Sequence, residues 1–298
     1  MESKEQPLVS VLMTAFNREK YIQEAIESVL ASTYTNFELI IVDDGSADKT
    51  VDIAKSFLQK DSRVKVYVNS DNLGDYPNRN KAAGYASGKY LKYLDSDDII
   101  YPHGLAVMVA AMEKNPEAAV GIASNYAQEE KPFPILLQPA EAYRQHFYVR
   151  GVFDTGPSGL IFSTEKFKAA GGFSGKRYIG DTELNLKLAA AWPILKTAAS
   201  LIFWRQHEGQ EFNAGYTSTG YLELQLPMYE AAFKNPVCPL GEKQRIAILS
   251  YQRKVAAREL IKITLLKRKP GLALQLFRQL RLSMADILNA IFFMKKKY

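Results

Sequence analysis

Residues 9–46 read VSVLMTAFNREKYIQEAIESVLASTYTNFELIIVDDGS, and this stretch decides the fold class. Val9–Met13 is an almost unbroken apolar run of strand length, and Leu39–Val42 is a second. Between them Ile22, Ala25, Ile26, Val29 and Leu30 recur at the spacing of one helix face. A strand apolar on both sides needs cover on both sides. The strand–helix–strand order therefore predicts an α/β, Rossmann-like, mostly parallel sheet with helices on its two faces. Asn17 is placed to cap the intervening helix. Each strand runs into a polar cluster, Thr14–Asn17 after the first and Asp43-Asp44-Gly45-Ser46 after the second.

The same alternation continues outward. A helix carrying Val51, Ala54 and Leu58 leads to a third strand, Val64–Val68. A short helix around Arg79–Ala86 follows, with Gly88 placed at its left-handed C-terminal position. Tyr90–Leu94 is the fourth strand and ends at Asp95-Ser96-Asp97-Asp98. Pro102 opens a helix with Leu105, Met108, Val109 and Met112 on one face. Residues 126–160 are less regular. Gly159–Phe162 then reads as a strand, Gly171-Gly172-Phe173 as a turn, Asp181–Ala191 as a helix and Ser200–His207 as a further strand. Parallel sheets bind ligands beyond the carboxyl ends of their strands. Thr14–Asn17, Asp43–Ser46 and Asp95–Asp98 are thus expected to meet in one cleft.

With 47% hydrophobic and 23% charged residues in 298, the chain is that of a folded protein rather than a disordered or low-complexity one. One cysteine, Cys238, excludes a disulfide framework and a multi-cysteine metal site, and three histidines exclude a histidine-rich one. No signal-like start and no apolar run of membrane-span length is present, so a cytoplasmic protein, soluble or held peripherally at the membrane, is expected. The net charge of +6 is unevenly spread: residues 240–298 carry +11 and residues 1–239 carry −5. Such an acidic body with a basic tail argues against a nucleic-acid binder. It divides the chain into 1–239, with halves of about 1–125 and 126–239, and a basic helical extension over 240–298.

The chemistry available to the cleft is that of carboxylates. No G-x-G-x-x-G follows the first strand, the Walker pattern is missing and no G-x-S-x-G elbow occurs. Asp95, Asp97 and Asp98 place three negative charges in four residues after a buried strand. Crowded carboxylates suit a hard divalent ion, Mg²⁺ or Mn²⁺, shared with substrate phosphates. A turn that caps the next helix accounts for the same residues equally well. Asp43–Ser46 likewise reads either as a hydrogen-bonding group for a base or ribose or as an ordinary helix-capping loop. For Asp181 the local alternatives are a general base and a helix N-cap.

The motifs taken in order resemble the family 2 glycosyltransferases. They are Val9–Asn17, Phe37–Ser46 with Asp48, Asn72-Leu73-Gly74, Arg79-Asn80 and Tyr93–Asp98, within a resemblance covering roughly residues 7–210. It implies a GT-A fold and transfer of one sugar, with inversion, from a nucleotide-diphosphate sugar, UDP-linked, to an acceptor hydroxyl of a saccharide or lipid-linked saccharide. Thr14, Ala15, Phe16 and Asn17 would then form the first nucleotide loop, with Asp44 reading the base and Arg79 contacting the nucleotide. Asp95-Ser96-Asp97 is similar to the D-x-D motif. Asp97 would touch the ribose or the metal, Asp98 is the other candidate ligand, and His207, in Trp204-Arg205-Gln206-His207, would lie near the diphosphate and metal. Gly171-Gly172-Phe173 with Gly180-Asp181 is similar to a G-G-F…E-D pattern, which makes Asp181 the catalytic base and leaves glycine where the pattern has glutamate. The Q-x-x-R-W signature of processive synthases is missing. Assembly of a surface polysaccharide or glycolipid is the implied setting.

Two apolar stripes mark the extension. Leu249, Ala256, Leu260 and Ile263 form one. After Pro270-Gly271, Ala273, Leu276, Phe277, Leu280, Met284, Ile287, Leu288 and Ile291 form another, beside Arg278 and Arg281 and ahead of Lys295-Lys296-Lys297. They fit either an anionic membrane interface or a helical hairpin packed on the catalytic domain or on a second subunit, as in a homodimer. The rival activities are a nucleotidyltransferase, which would want a basic phosphate-gripping loop early in the chain, and a non-catalytic, membrane-associated nucleotide-sugar binder.

Overall fold

The computed structural model describes residues 6–123, 131–208, 210 and 219–291. The chain forms two compact units, Met1–Ala142 with Val152–His207, and Tyr143–Gly151 with Glu208–Tyr298. The unit that holds the basic extension thus also takes in residues ahead of position 240.

In the first unit the strands are β1 (Val9–Ala15), β2 (Phe37–Asp43), β3 (Val64–Val68), β4 (Tyr90–Tyr93), β5 (Ile99–Ile100), β6 (Val120–Ala123), β7 (Ile135–Leu137), β8 (Leu160–Ser163), β9 (Ile194–Thr197) and β10 (Ile202–Phe203). Its helices are α1 (Ile22–Leu30), α2 (Thr50–Lys55), α3 (Asp75–Gly84), α4 (Gly104–Lys114), α5 (Pro139–Arg144, which ends in the second unit), α6 (Thr164–Ala169) and α7 (Gly180–Ala191). Eight strands form one sheet in the order β3-β2-β1-β4-β8-β6-β9-β7, and β5 pairs with β10 apart from it. β3, β2, β1 and β4 run parallel, β6 and β9 share that direction, and β8 and β7 oppose it. The mostly parallel α/β sheet expected from the apolar runs is present.

β1 and β2 are buried along their whole length. One face of β1, Val9, Val11 and Met13, packs with Ile22, Ala25, Ile26 and Val29 of α1. Each of the valine, isoleucine and methionine side chains contributes about 1.5–3 kcal/mol on leaving water. The parallel register pairs Ala15 with Asp43 and Leu12 with Tyr93. It therefore delivers the ends of β1, β2 and β4, with their polar clusters, to one edge.

The opposite edge is closed by Glu38. Its Oε1 accepts from Ser10 Oγ at 2.6 Å and from Ser87 N and Oγ at 2.8 Å, and its Oε2 pairs with Lys65 Nζ at 2.7 Å. Burial alone would raise the Glu38 carboxyl; Lys65, Ser10 and Ser87 outweigh it and hold it down to about 2.

Several local expectations are corrected. Asn17 caps no helix. α1 starts at Ile22, and Asn17 stands at φ 52°, where its Oδ1 accepts from Ala47 N at 2.9 Å and ties two loops together. Gly88 is not a left-handed cap either, since α3 ends at Gly84. Its hydrogen atom is needed because a Cβ there would lie 2.5 Å from Ser10 N. The strand read over Ser200–His207 shrinks to Ile202–Phe203, antiparallel to Ile99–Ile100. The residues after it are drawn off by bonds to the acidic cluster.

The second unit holds a π-helix turn, Gln145–Val149, and the helices α8 (Gly220–Lys234), α9 (Glu242–Leu265), α10 (Pro270–Gln279) and α11 (Met284–Ile291). Ala256, Leu260 and Ile263 of α9 share a core with Ala273, Leu276 and Leu280. The second stripe is not one helix: Arg281 takes φ 48°, and Ser283 and Asp286 exchange hydrogen bonds that start α11. Met284, Leu288 and Ile291, on one face of α11, are exposed. Lys295, Lys296 and Lys297 lie outside the described residues. No helix among the described residues is long and apolar enough to cross a membrane.

Candidate functional site

The edge where β1, β2 and β4 end carries a dense set of charged groups. Asp95, Asp97 and Asp98 each offer a carboxylate oxygen within 4.8 Å of the others, the one such acidic cluster among the described residues. Asp98 is 1% exposed. Burial, and then the Asp95 and Asp97 carboxylates, push the Asp98 carboxyl well above its ordinary range, while a hydrogen bond from Ser158 and one from Arg205 N act the other way. Like charges this close and this dry are stable only when protonated or neutralised by a cation.

Part of that neutralisation comes from the chain itself. Asp97 Oδ2 receives Arg18 Nε at 2.8 Å and His207 Nε2 at 3.0 Å. His207 is stacked on Tyr21, ring centroids 4.6 Å apart. Arg205 donates from its backbone N to Asp98 Oδ1 at 3.1 Å and from Nε to the Asp97 carbonyl at 2.9 Å. Arg79 NH1 lies 2.7 Å from Asp95 Oδ1, and its Nε bonds Asp75 Oδ1 at 2.8 Å. Burial opposes the charge on Arg79, but Asp75 and Asp95 more than restore it, so the guanidinium stays protonated. An all-oxygen donor set whose mutual repulsion is relieved only in part fits a hard divalent cation. Asp95, Asp97 and Asp98 are the residues that would hold one, with His207 beside Asp97.

Behind the cluster, Lys92 in β4 is fully buried and donates to the carbonyls of Tyr93 and Ser158. Burial pushes its ammonium down to about 7, against the pull of Asp95 and Asp98. Ser158 also takes the Asp95 N–H at 2.9 Å, so one serine links Lys92 to the acidic loop.

The nucleotide-loop candidates sit along the same edge. Thr14 and Ala15 are buried, and Ala15 O accepts from Asp44 N at 2.8 Å. Phe16 is 44% exposed, an apolar ring left at the rim. Adjacent aspartates divide their work: Asp43 closes its own turn by accepting from Gly45 N and Ser46 N at 3.0 and 2.8 Å. Asp44 accepts from Asn69 Nδ2 at 2.7 Å and from Leu73 N and Gly74 N at 2.9 Å, which anchors the Asn72-Leu73-Gly74 loop.

Asp181 lies in the first turn of α7 and is not its N-cap, a position held by Ile179. The side chain keeps an opening to the surface yet is densely enclosed by protein, and that enclosure pushes its carboxyl up to about 7. The Thr182 N–H, which donates to Oδ1 at 2.7 Å, and the Arg79 charge limit the rise; Asp75 adds to it. A carboxyl with this affinity for protons is poised to take one near neutral pH.

The geometry adds residues that sequence reading passed over. Arg18, Asp75, Tyr76, Lys92 and Ser158 belong to no motif, although Arg18 directly follows Asn17, Asp75 directly follows Gly74 and Lys92 lies within the fourth apolar run.

A family model described as Glycosyl transferase family 2 matches residues 10–171, more than half of the chain. The glycosyltransferase GlyG of Streptococcus pneumoniae is 32% identical over 145 residues, 48% of this chain and 44% of that protein. The UDP-Glc:alpha-D-GlcNAc-diphosphoundecaprenol beta-1,3-glucosyltransferase WfgD of Escherichia coli is 42% identical over 108 residues, 36% of this chain and 42% of that one. The chain thus spans less than half the length of these curated relatives. Among solved structures, TarS 1-349 of S. aureus in complex with UDP-GlcNAc superposes with a TM-score of 0.65 at 20% identity, covering 95% of this chain and 79% of that one. The mannosyltransferase PcManGT of Pyrobaculum calidifontis in complex with GDP-Man and Mn²⁺ gives 0.64 at 15% identity, covering 97% and 88%. At such identities these two likenesses speak for the fold.

Proposed function

The chain belongs to glycosyl transferase family 2, and from that premise we propose that it transfers a single sugar, with inversion, from a nucleotide-diphosphate sugar to an acceptor hydroxyl. UDP is the nucleotide we favour, since WfgD is named for UDP-Glc and TarS holds UDP-GlcNAc. A lipid-linked saccharide in surface-polysaccharide assembly is the acceptor class we favour, after WfgD's named substrate. Inversion requires one displacement: the acceptor oxygen bonds to the anomeric carbon, the bond to the diphosphate breaks, and the hydroxyl proton leaves. Asp181 takes that proton. Arg79 keeps Asp95 in place from the side of Asp181. Arg18 and His207 orient Asp97, and Arg205 orients Asp98. Phe16, at the rim, packs against the base. A divalent ion, Mn²⁺ or Mg²⁺, held within the acidic cluster chiefly by Asp97 and Asp98, Asp95 being paired with Arg79, would supply positive charge to the departing diphosphate.

The observation that carries this reading is Arg79. One guanidinium pairs with Asp95 of the acidic cluster and acts electrostatically on Asp181, so a donor end and a proton acceptor share a single fixed cation. A thermal-shift screen with UDP-glucose, UDP-GlcNAc and GDP-mannose, with Mn²⁺ or with chelator, tests the donor side; a melting temperature unmoved by all three overturns it. Asp181→Asn tests the base. Turnover is expected to drop by roughly 10²–10⁴-fold with the thermal shift unchanged, and undiminished transfer removes Asp181 from the role.

A further inference from the structure

Gly180 stands where the related pattern carries glutamate, and its surroundings give a physical reason. A Cβ at Gly180 would meet three atoms of the Tyr76 ring at 2.8, 2.8 and 2.9 Å. Tyr76, from α3, is 4% exposed, and its ring lies 5.1 Å from that of Phe173, centroid to centroid. Four residues along the same helix, Asn80 grips the backbone of Phe173, donating to its carbonyl at 2.8 Å and accepting its N–H at 3.0 Å. A Cβ at Gly172 would fall 2.6 Å from Asn80 Oδ1. One face of α3 therefore clamps both the Gly171–Gly175 turn and the start of α7, and each grip occupies the space of a missing side chain. The Tyr76 hydroxyl acts on the Asp181 carboxyl to lower its proton affinity, and the Asp181 backbone N–H acts on the phenol in the same sense.

We propose that Tyr76 is the positioning residue for Asp181, and that its ring and Gly180 form a matched pair which fixes the carboxylate in place of any contact from a side chain at 180. The proposal rests on Asp181 being the base. Tyr76 acts by aiming the carboxylate and by stabilising its ionised form. The other groups facing Asp181 are Arg79 and Asp75 of α3 and the Thr182 N–H, and Tyr76→Phe leaves all of them in place along with the ring packing.

A phenol that donates to the carboxylate favours ionisation, so its loss raises the proton affinity of Asp181. A ¹³C NMR titration of aspartate-labelled protein, with the Asp181 resonance assigned from Asp181→Asn, needs no donor. The Asp181 midpoint is expected near 7 in the parent and about 0.5–1 pH unit higher in Tyr76→Phe. With UDP-GlcNAc as donor, the acidic limb of kcat/KM shifts by the same amount, and kcat falls about tenfold at neutral pH while the donor KM holds. Gly180→Ala, which drives a methyl group into the ring, is expected to lower kcat at least as far. An unmoved midpoint in Tyr76→Phe, or parental kcat and limb in Gly180→Ala, overturns the inference while Asp181 stands as the base. If Asp181→Asn transfers as well as the parent, the functional reading fails first and the assignment of Tyr76 fails with it.

Discussion

The two edges of the central sheet treat buried carboxylates in opposite ways. At the amino edge Glu38 is met by four donor contacts from Ser10, Ser87 and Lys65, and the match is good enough to pull it down to about 2 in spite of burial. At the carboxyl edge Asp98 and Asp181 are pushed up, because burial and neighbouring carboxylates outweigh the donors that reach them. The residue chemistry is the same and the sheet is the same. What differs is the balance of donors against the loss of water and the charge of neighbouring carboxylates. A saturated carboxylate can fasten strands and has no capacity left for a ligand. An under-saturated one stores unfavourable energy that a proton or a cation releases, which is the condition a binding or catalytic group must meet.

Removing charge from the under-saturated edge gives the largest expected effect. Asp97→Asn deprives Arg18 and His207 of their shared partner and takes one carboxylate from the cluster. Transfer is expected to fall by on the order of a thousandfold, the several kcal/mol assigned to charge stabilisation at such centres. Mn²⁺ binding, read by electron paramagnetic resonance, weakens alongside it. Full Mn²⁺ affinity and near-parental transfer in this variant would mean that the crowding of Asp95, Asp97 and Asp98 is structural, and the contrast between the edges would vanish.

How much of this is legible in the sequence depends on distance along the chain. The apolar runs at Val9–Met13 and Leu39–Val42 announce buried strands because a strand's burial is written in its own consecutive residues. The polar residues directly after those runs, Thr14–Asn17 and Asp43–Ser46, announce the edge for the same reason. The division of labour between Asp43 and Asp44 is not readable: it depends on Asn69, Leu73 and Gly74 arriving from a separate loop. Asn17 reads as a helix cap on local grammar and turns out to be a loop tie, because Ala47 offers its N–H from another segment. Gly180 reads as a departure from a pattern until Tyr76 is seen to fill its space. Pairings across a hundred residues leave no periodic trace in either partner.

At the amino edge the expected effect is on stability alone. The Glu38 carboxyl lies near 2 when folded against 4.5 as a free side chain, so its contribution is complete above about 4.5 and is lost as the pH falls toward 2. Glu38→Gln should therefore cost on the order of 2–3 kcal/mol at pH 7, with the gap from the parent closing below pH 4. Chemical denaturation at a series of pH values measures it. A gap that does not change with pH would mean that shape, not charge, makes the amino edge tight.

Lys92 gives the sharpest view of the difference, since it is a cation beneath the acidic edge rather than beside it. Its ammonium is held down to about 7 by burial against an ordinary 10.4 in the unfolded chain. Between these two values the unfolded state binds the extra proton, so the stability of the parent must rise with pH over that window, by at most about 1.4 kcal/mol per unit. Below pH 7 both states are protonated and the dependence ends. Lys92→Met removes the group and should flatten that slope between pH 7 and 10, while the contacts of Arg18 with Asp97 and of Arg79 with Asp95 stay. A slope that survives the substitution would assign the titration to another group. A slope that disappears shows that the acidic edge is held from below by a lysine it keeps only partly charged, whereas Lys65, half-exposed at the amino edge, is raised by Glu38 and keeps its full charge.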